Sequence, residues 1–125
     1  MKRREFMASI AVLPALGTVM SPSSLLKNVV LKKIGIQLFS VPFLLDEDFP
    51  GTMRMLAGMG YREIEMYGPY PFSARSAVDH WNSITPSLGF SGSGYYGHAP
   101  EEVREILDET GLSSPSIHVD LETLE

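Results

Sequence analysis

Three short stretches of this chain alternate apolar and polar residues in the same phase, and two amphipathic segments separate them. In residues 33–39, Ile34, Ile36 and Leu38 fall on one face and Gly35, Gln37 and Phe39 on the other. Residues 61–67 set Ile64 and Met66 against Glu63, Glu65 and Tyr67, and residues 115–120 set Ile117 and Val119 against Ser116, His118 and Asp120. Strict alternation is the periodicity of a strand. Between the first two strands, Phe49, Met53, Leu56 and Ala57 recur at helical spacing, and Gly60 supplies the stop. The acids Asp46, Glu47 and Asp48 ahead of them favour the positive end of a helix dipole. Between the second and third strands, Pro100 sits in a first helical turn, Val103, Ile106 and Leu107 form the stripe to be buried, and Gly111 ends it. Strand, helix, strand, helix, strand predicts an α/β fold with right-handed crossovers on a parallel sheet.

In each strand one parity is aliphatic, while the other carries a polar group late in the strand: Gln37, Glu65 and His118. An open parallel sheet covered by helices reads apolar on both faces. A face that turns polar toward the carboxyl ends fits the inner wall of a barrel, with the chemistry at its mouth. Taken singly, each of the three is better explained as a solvated strand end. Their shared phase is what points inward. A complete barrel of eight βα units takes about 250 residues, and this chain has 125.

Ahead of the strands, Lys2, Arg3 and Arg4 precede an apolar run over 6–20 and a polar turn at Ser21-Pro22-Ser23-Ser24. This is the pattern of an export signal, expected over residues 1–28 with its linker. The run is short for a bilayer span and Pro14 interrupts it, so no stable span is expected after processing. The adjacent arginines in Arg3-Arg4-Glu5-Phe6-Met7 resemble the twin-arginine signal, which implies a periplasmic destination. Lys2 stands where that signal usually has a small hydroxyl residue, and Ala15-Leu16-Gly17 only approximates a cleavage site, which leaves an uncleaved anchor open.

Residues 68–99 read as one long loop at the mouth, rich in Pro, Gly, Ser and aromatics. Tyr70, Phe72, Trp81, Phe90, Tyr95 and Tyr96 could stack on a sugar there or pack the loop onto itself. Gly92-Ser93-Gly94-Tyr95-Tyr96-Gly97 matches the spacing of a dinucleotide fingerprint. That fingerprint needs a buried strand before it and its last glycine inside the first helical turn. Neither holds, because residues 85–90 lack β-branched runs and the helix start at Pro100 comes three positions later. The glycines read instead as a flexible, lid-like loop. His80 and His98, also in this segment, are expected to be solvated.

With 10 basic and 15 acidic residues the formal charge is −5, which repels phosphate backbones and argues against a nucleic-acid partner. The absence of cysteine excludes disulfides, thiolate metal sites and a cysteine nucleophile.

Three segments together resemble the opening of the sugar phosphate isomerase/epimerase family, the xylose-isomerase-like barrels. They are Lys33-Ile34-Gly35-Ile36-Gln37-Leu38-Phe39-Ser40, the run Gly60-Tyr61-Arg62-Glu63-Ile64-Glu65, and Pro100 to Leu112 followed by Ser116-Ile117-His118-Val119. The likeness extends over residues 33–125. It implies the N-terminal three βα units of a (β/α)8 TIM barrel, incomplete in this chain, acting on a keto-sugar by metal-assisted proton transfer. The divalent metal of that family, of Mn, Zn or Mg type, takes its ligands mostly from later strands, so no metal ligand and no catalytic residue is assigned here. Glu65 and His118 are the candidate substrate contacts, with Gln37 a weaker one. A salt bridge in the wall is the rival role for Glu65, and a buried structural histidine the rival for His118. Two other readings stand beside this one: an exported carbohydrate-binding module without catalysis, and a phosphodiester-cleaving barrel relative with a zinc-holding histidine on the third strand. The partner expected is a small-molecule sugar, with a homo-oligomer possible.

Overall fold

The structure is a computed structural model that describes residues 32–125, so the export signal expected over 1–28 lies outside the described residues. The fold is α/β. Strands β1 (Gly35–Gln37), β2 (Glu63–Tyr67) and β3 (Ser113–His118) form a parallel sheet in the order β1-β2-β3. Helices α1 (Pro42–Glu47) and α2 (Phe49–Gly58) make the first crossover, and α3 (Arg75–Leu88) and α4 (Pro100–Thr110) lie in the second. Among the described residues no helix is long and apolar enough to cross a membrane.

The helices begin and end where the residues satisfy loose backbone groups. Asp48 caps α2, its carboxylate accepting the Gly51 N–H at 2.9 Å. At the other end Tyr61 N–H reaches Leu56 C=O at 3.2 Å and Gly60 N–H reaches Ala57 C=O at 3.1 Å, the paired bonds of a Schellman stop. Pro100 opens α4, and the Glu102 carboxylate reaches back to accept the Ala99 N–H at 2.9 Å. Helices α2 and α4 cover one face of the sheet. Met53 and Leu56 from α2, and Val103 and Ile106 from α4, close over Ile64 and Met66 of β2, with Leu112 at the start of β3. Each such side chain contributes about 1.5–3 kcal/mol relative to exposure. Arg54 and Glu109 join the two helices at the surface through paired hydrogen bonds of 3.0 and 3.2 Å.

Three expectations need correction. The first strand does not run to residue 39, because the chain tightens into a 3₁₀ turn at Leu38–Ser40 that drops Leu38 fully into the core. The third strand starts earlier than expected, at Ser113, and ends at His118. Its Ile117 is 45% exposed instead of covered, because β3 is an edge strand of the described sheet. The segment 68–99 is not a loop throughout, since residues Arg75–Leu88 form α3. Pro86 removes one backbone donor in the last turn, and Ser83 and Ser87 turn their hydroxyls back to the carbonyls of His80 and Ile84 at 2.6 and 2.7 Å. The helix forms because Ala77, Val78, Trp81, Ile84, Thr85 and Leu88 line one half-buried side, and Gly89 stops it at φ 80°.

Candidate functional site

Parallel register brings the polar parity of the three strands onto one face. Gln37 lies opposite Glu65, Glu65 opposite Ser116, and Tyr67 opposite His118. At the carboxyl ends of these strands is a cavity of about 390 Å³. Gln37 of β1, Tyr67 of β2 and His118 of β3 line its floor, and Phe39 closes one side. Helix α3 forms a wall through Ser76, Ala77, His80 and Trp81, while Asp120 and Glu122 border it after β3. Gln37 and His118 therefore share the cavity. Glu65 is on the same sheet face but is not among the lining residues, and its carboxylate accepts the Ser116 hydroxyl at 2.7 Å.

The aromatic segment packs mainly onto the body of the protein. Tyr70 stacks on Phe72 at 4.9 Å, Phe90 meets Phe39 and Phe43 edge-on, and Tyr96 stacks on Phe49 at 5.1 Å. Of the six loop aromatics only Trp81 lines the cavity, held by its indole N–H donating to Ser91 C=O at 2.9 Å. The glycine run is anchored, contrary to the lid-like expectation. Asp46 accepts the N–H groups of Ser91 and Gly92 at 3.1 and 2.7 Å, Ser93 donates its hydroxyl to Pro69 C=O at 2.9 Å, and Gly94 N–H reaches Tyr67 C=O at 2.7 Å. Gly92 is needed for this approach, since a Cβ there would stand 2.4 Å from both the Asp46 carboxylate and the Tyr96 ring. No strand precedes the run, and α4 begins only at Pro100.

Beneath the cavity the Tyr67 hydroxyl donates to Gly92 C=O at 3.0 Å and shares a hydrogen bond with the Tyr96 hydroxyl. Burial pushes both phenols above their ordinary range, with the Tyr67 hydrogen bond pushing Tyr96 further, so the pair stays neutral. The Tyr70 hydroxyl is buried without a hydrogen-bond partner among the described residues, and burial raises it as well, with Tyr95 and Glu65 adding to the shift. At the rim Asp120 accepts both the Thr123 hydroxyl, at 2.5 Å, and the Thr123 N–H, at 2.8 Å. The hydroxyl bond holds its carboxyl below the usual aspartate range. Thr123 in turn accepts the Ala74 N–H at 3.0 Å, which ties the turn Leu121–Leu124 to the start of α3.

Among the described residues no group of three or more His, Asp or Glu is arranged to hold a metal ion. His118 and His80 both line the cavity and both are exposed, as expected for His80 and unlike the buried structural role that rivalled a substrate contact for His118. His98 packs on Phe49 at 5.4 Å and lies 3.4 Å from Glu102. The signal that could have exposed Trp81 and His80 is the three-and-four spacing from Ala74 to Leu88, which marks a helix with one wet side.

No protein-family model, curated protein or solved structure matches this chain.

Proposed function

We propose that residues 33–125 are three consecutive βα units of a (β/α)8 barrel of the sugar isomerase/epimerase kind, exported by the signal over 1–28, and that the cavity at the strand ends receives a keto-sugar. The observation that carries this reading is that Gln37, Tyr67 and His118, from the carboxyl ends of three adjacent parallel strands, line one cavity together with an aromatic wall. Ligands of α/β proteins bind outside the carboxyl ends of parallel strands. A ring face against Trp81 and Phe39, with hydroxyls turned to Gln37 and His118, is the pairing of apolar and polar contacts that a sugar requires. Glu65, tied to Ser116, positions the strand behind those contacts. The described residues do not supply a ligand set for the divalent metal of that family.

Trp81 is the single tryptophan of the chain, so its fluorescence reports on the cavity. Saturable quenching by neutral ketoses, weakened roughly tenfold in His118→Ala by loss of a hydrogen bond, is the expected result. The partial-barrel reading also expects no keto-sugar isomerisation by the 125-residue chain alone. Robust turnover by its monomer would overturn that part, and no binding of any ketose would overturn the sugar site.

A binding module without catalysis is the second reading, favoured by a cavity walled by aromatic and hydrogen-bonding groups. Sugar binding unaffected by chelator, with no exchange of the sugar's α-proton into deuterated solvent when metal is added, would select it.

A further inference from the structure

We infer that the cavity between β1, β3 and α3 takes an unphosphorylated sugar and discriminates against its phosphate ester. This rests on the sugar reading above and narrows its substrate class. Among the described residues the lining holds two carboxylates, Asp120 and Glu122, and no lysine or arginine.

None of the described lysines and arginines lines the cavity. Lys33 pairs with Glu63 at 3.5 Å, and Arg62 donates to the carbonyls of Ala57 and Tyr61 at 3.0 and 2.7 Å, both at the amino ends of the strands and so opposite the cavity. Arg54 is paired with Glu109 on the outer helices. Arg75, at the start of α3, is the cation nearest in sequence to the lining residues Ser76 and Ala77. Its guanidinium pairs with Asp79 at 2.9 Å and is 87% exposed. A phosphate needs bidentate or ammonium donors to offset the loss of its hydration. Here it would meet the carboxylates of Asp120 and Glu122 instead, which repel it. A neutral polyol meets the opposite situation, since carboxylates accept hydroxyl protons and the indole and phenyl rings cover its C–H face. Among the described residues, the groups that could still donate to an anion are the imidazoles of His80 and His118 on the lining and the amides of the first turn of α3. Ala74 at its cap already donates to Thr123, and no side chain completes an anion cradle there.

The test is a fluorescence titration of Trp81 in the full chain with matched pairs, D-fructose against fructose 6-phosphate and D-xylulose against xylulose 5-phosphate. The expected result is at least tenfold tighter binding of the neutral member in each pair that responds. Glu122→Lys, an exposed position, is expected to narrow that preference at least threefold. Equal or tighter binding of a phosphate ester overturns this inference and leaves the sugar site standing. A preference that Glu122→Lys leaves unchanged also overturns it, because the discrimination would not be electrostatic. Silence toward all four compounds overturns the sugar site, and this inference with it.

Discussion

Helices α2 and α4 press a fully buried stripe onto the sheet, whereas α3 presents a stripe with no fully buried residue over the strand ends. The first layer is held mainly by apolar contact: Leu56, Met53 and Ile64 have essentially no exposed surface. The second is held by single polar ties, from Thr123 to Ala74 and from Trp81 to Ser91, and leaves a cavity beneath it. Dense packing makes a scaffold and half-packing makes a place for a ligand. A protein that binds something small needs both.

That contrast can be broken by truncating each layer. Leu56→Ala empties a closed site and is expected to cost about 2–5 kcal/mol in urea unfolding, whereas Leu88→Ala on half-buried α3 costs under about 1.5 kcal/mol. Comparable losses would erase the distinction between the layers. Gly92→Ala attacks the seam between them, because its Cβ must displace Asp46 or Tyr96. A destabilisation of about 1–3 kcal/mol with a changed near-ultraviolet tyrosine signal is expected, and an unaltered signal would mean the seam yields freely. Trp81→Phe, which keeps an aromatic wall but loses the bond to Ser91, should lower stability by only about 1 kcal/mol. Calorimetry with a neutral ketose should show binding weakened severalfold, and full affinity would remove the indole from the site.

The smallest effect is pH dependence. Tyr67 and Tyr96 bind their protons more tightly folded than unfolded, so their contribution is complete below about pH 10, where unfolded tyrosine titrates, and is lost as pH rises further. Tyr96→Phe should flatten that alkaline decline in thermal unfolding, and an unchanged decline would assign it to other groups.

The scaffold was largely legible in the residues, because its stripes end at residues with one local meaning: acids up to Asp48 at a helix start, Gly60 and Gly111 as stops, and alternation at Ile64 and Met66 for a strand. Helix α3 escaped because Ser, Thr and Pro86 dilute its stripe, and the proline and the glycines on its far side read as loop. The polar parity of the strands was visible, yet parity names a face and not a cavity. Glu65 shares the face of Gln37 and His118, and its bond to Ser116 draws it aside.

Strand and helix order, and the positions where helices stop, follow from local periodicity and capping, which act over a few residues of chain. Which polar groups meet at the mouth was decided only by tertiary structure. Gln37, His80 and the neighbouring His118 and Asp120 come from three segments far apart in the chain, and their shared cavity depends on parallel register and on α3 being tied over the strand ends. No spacing rule in a linear chain carries that information, because it resides in the packing of one element against another.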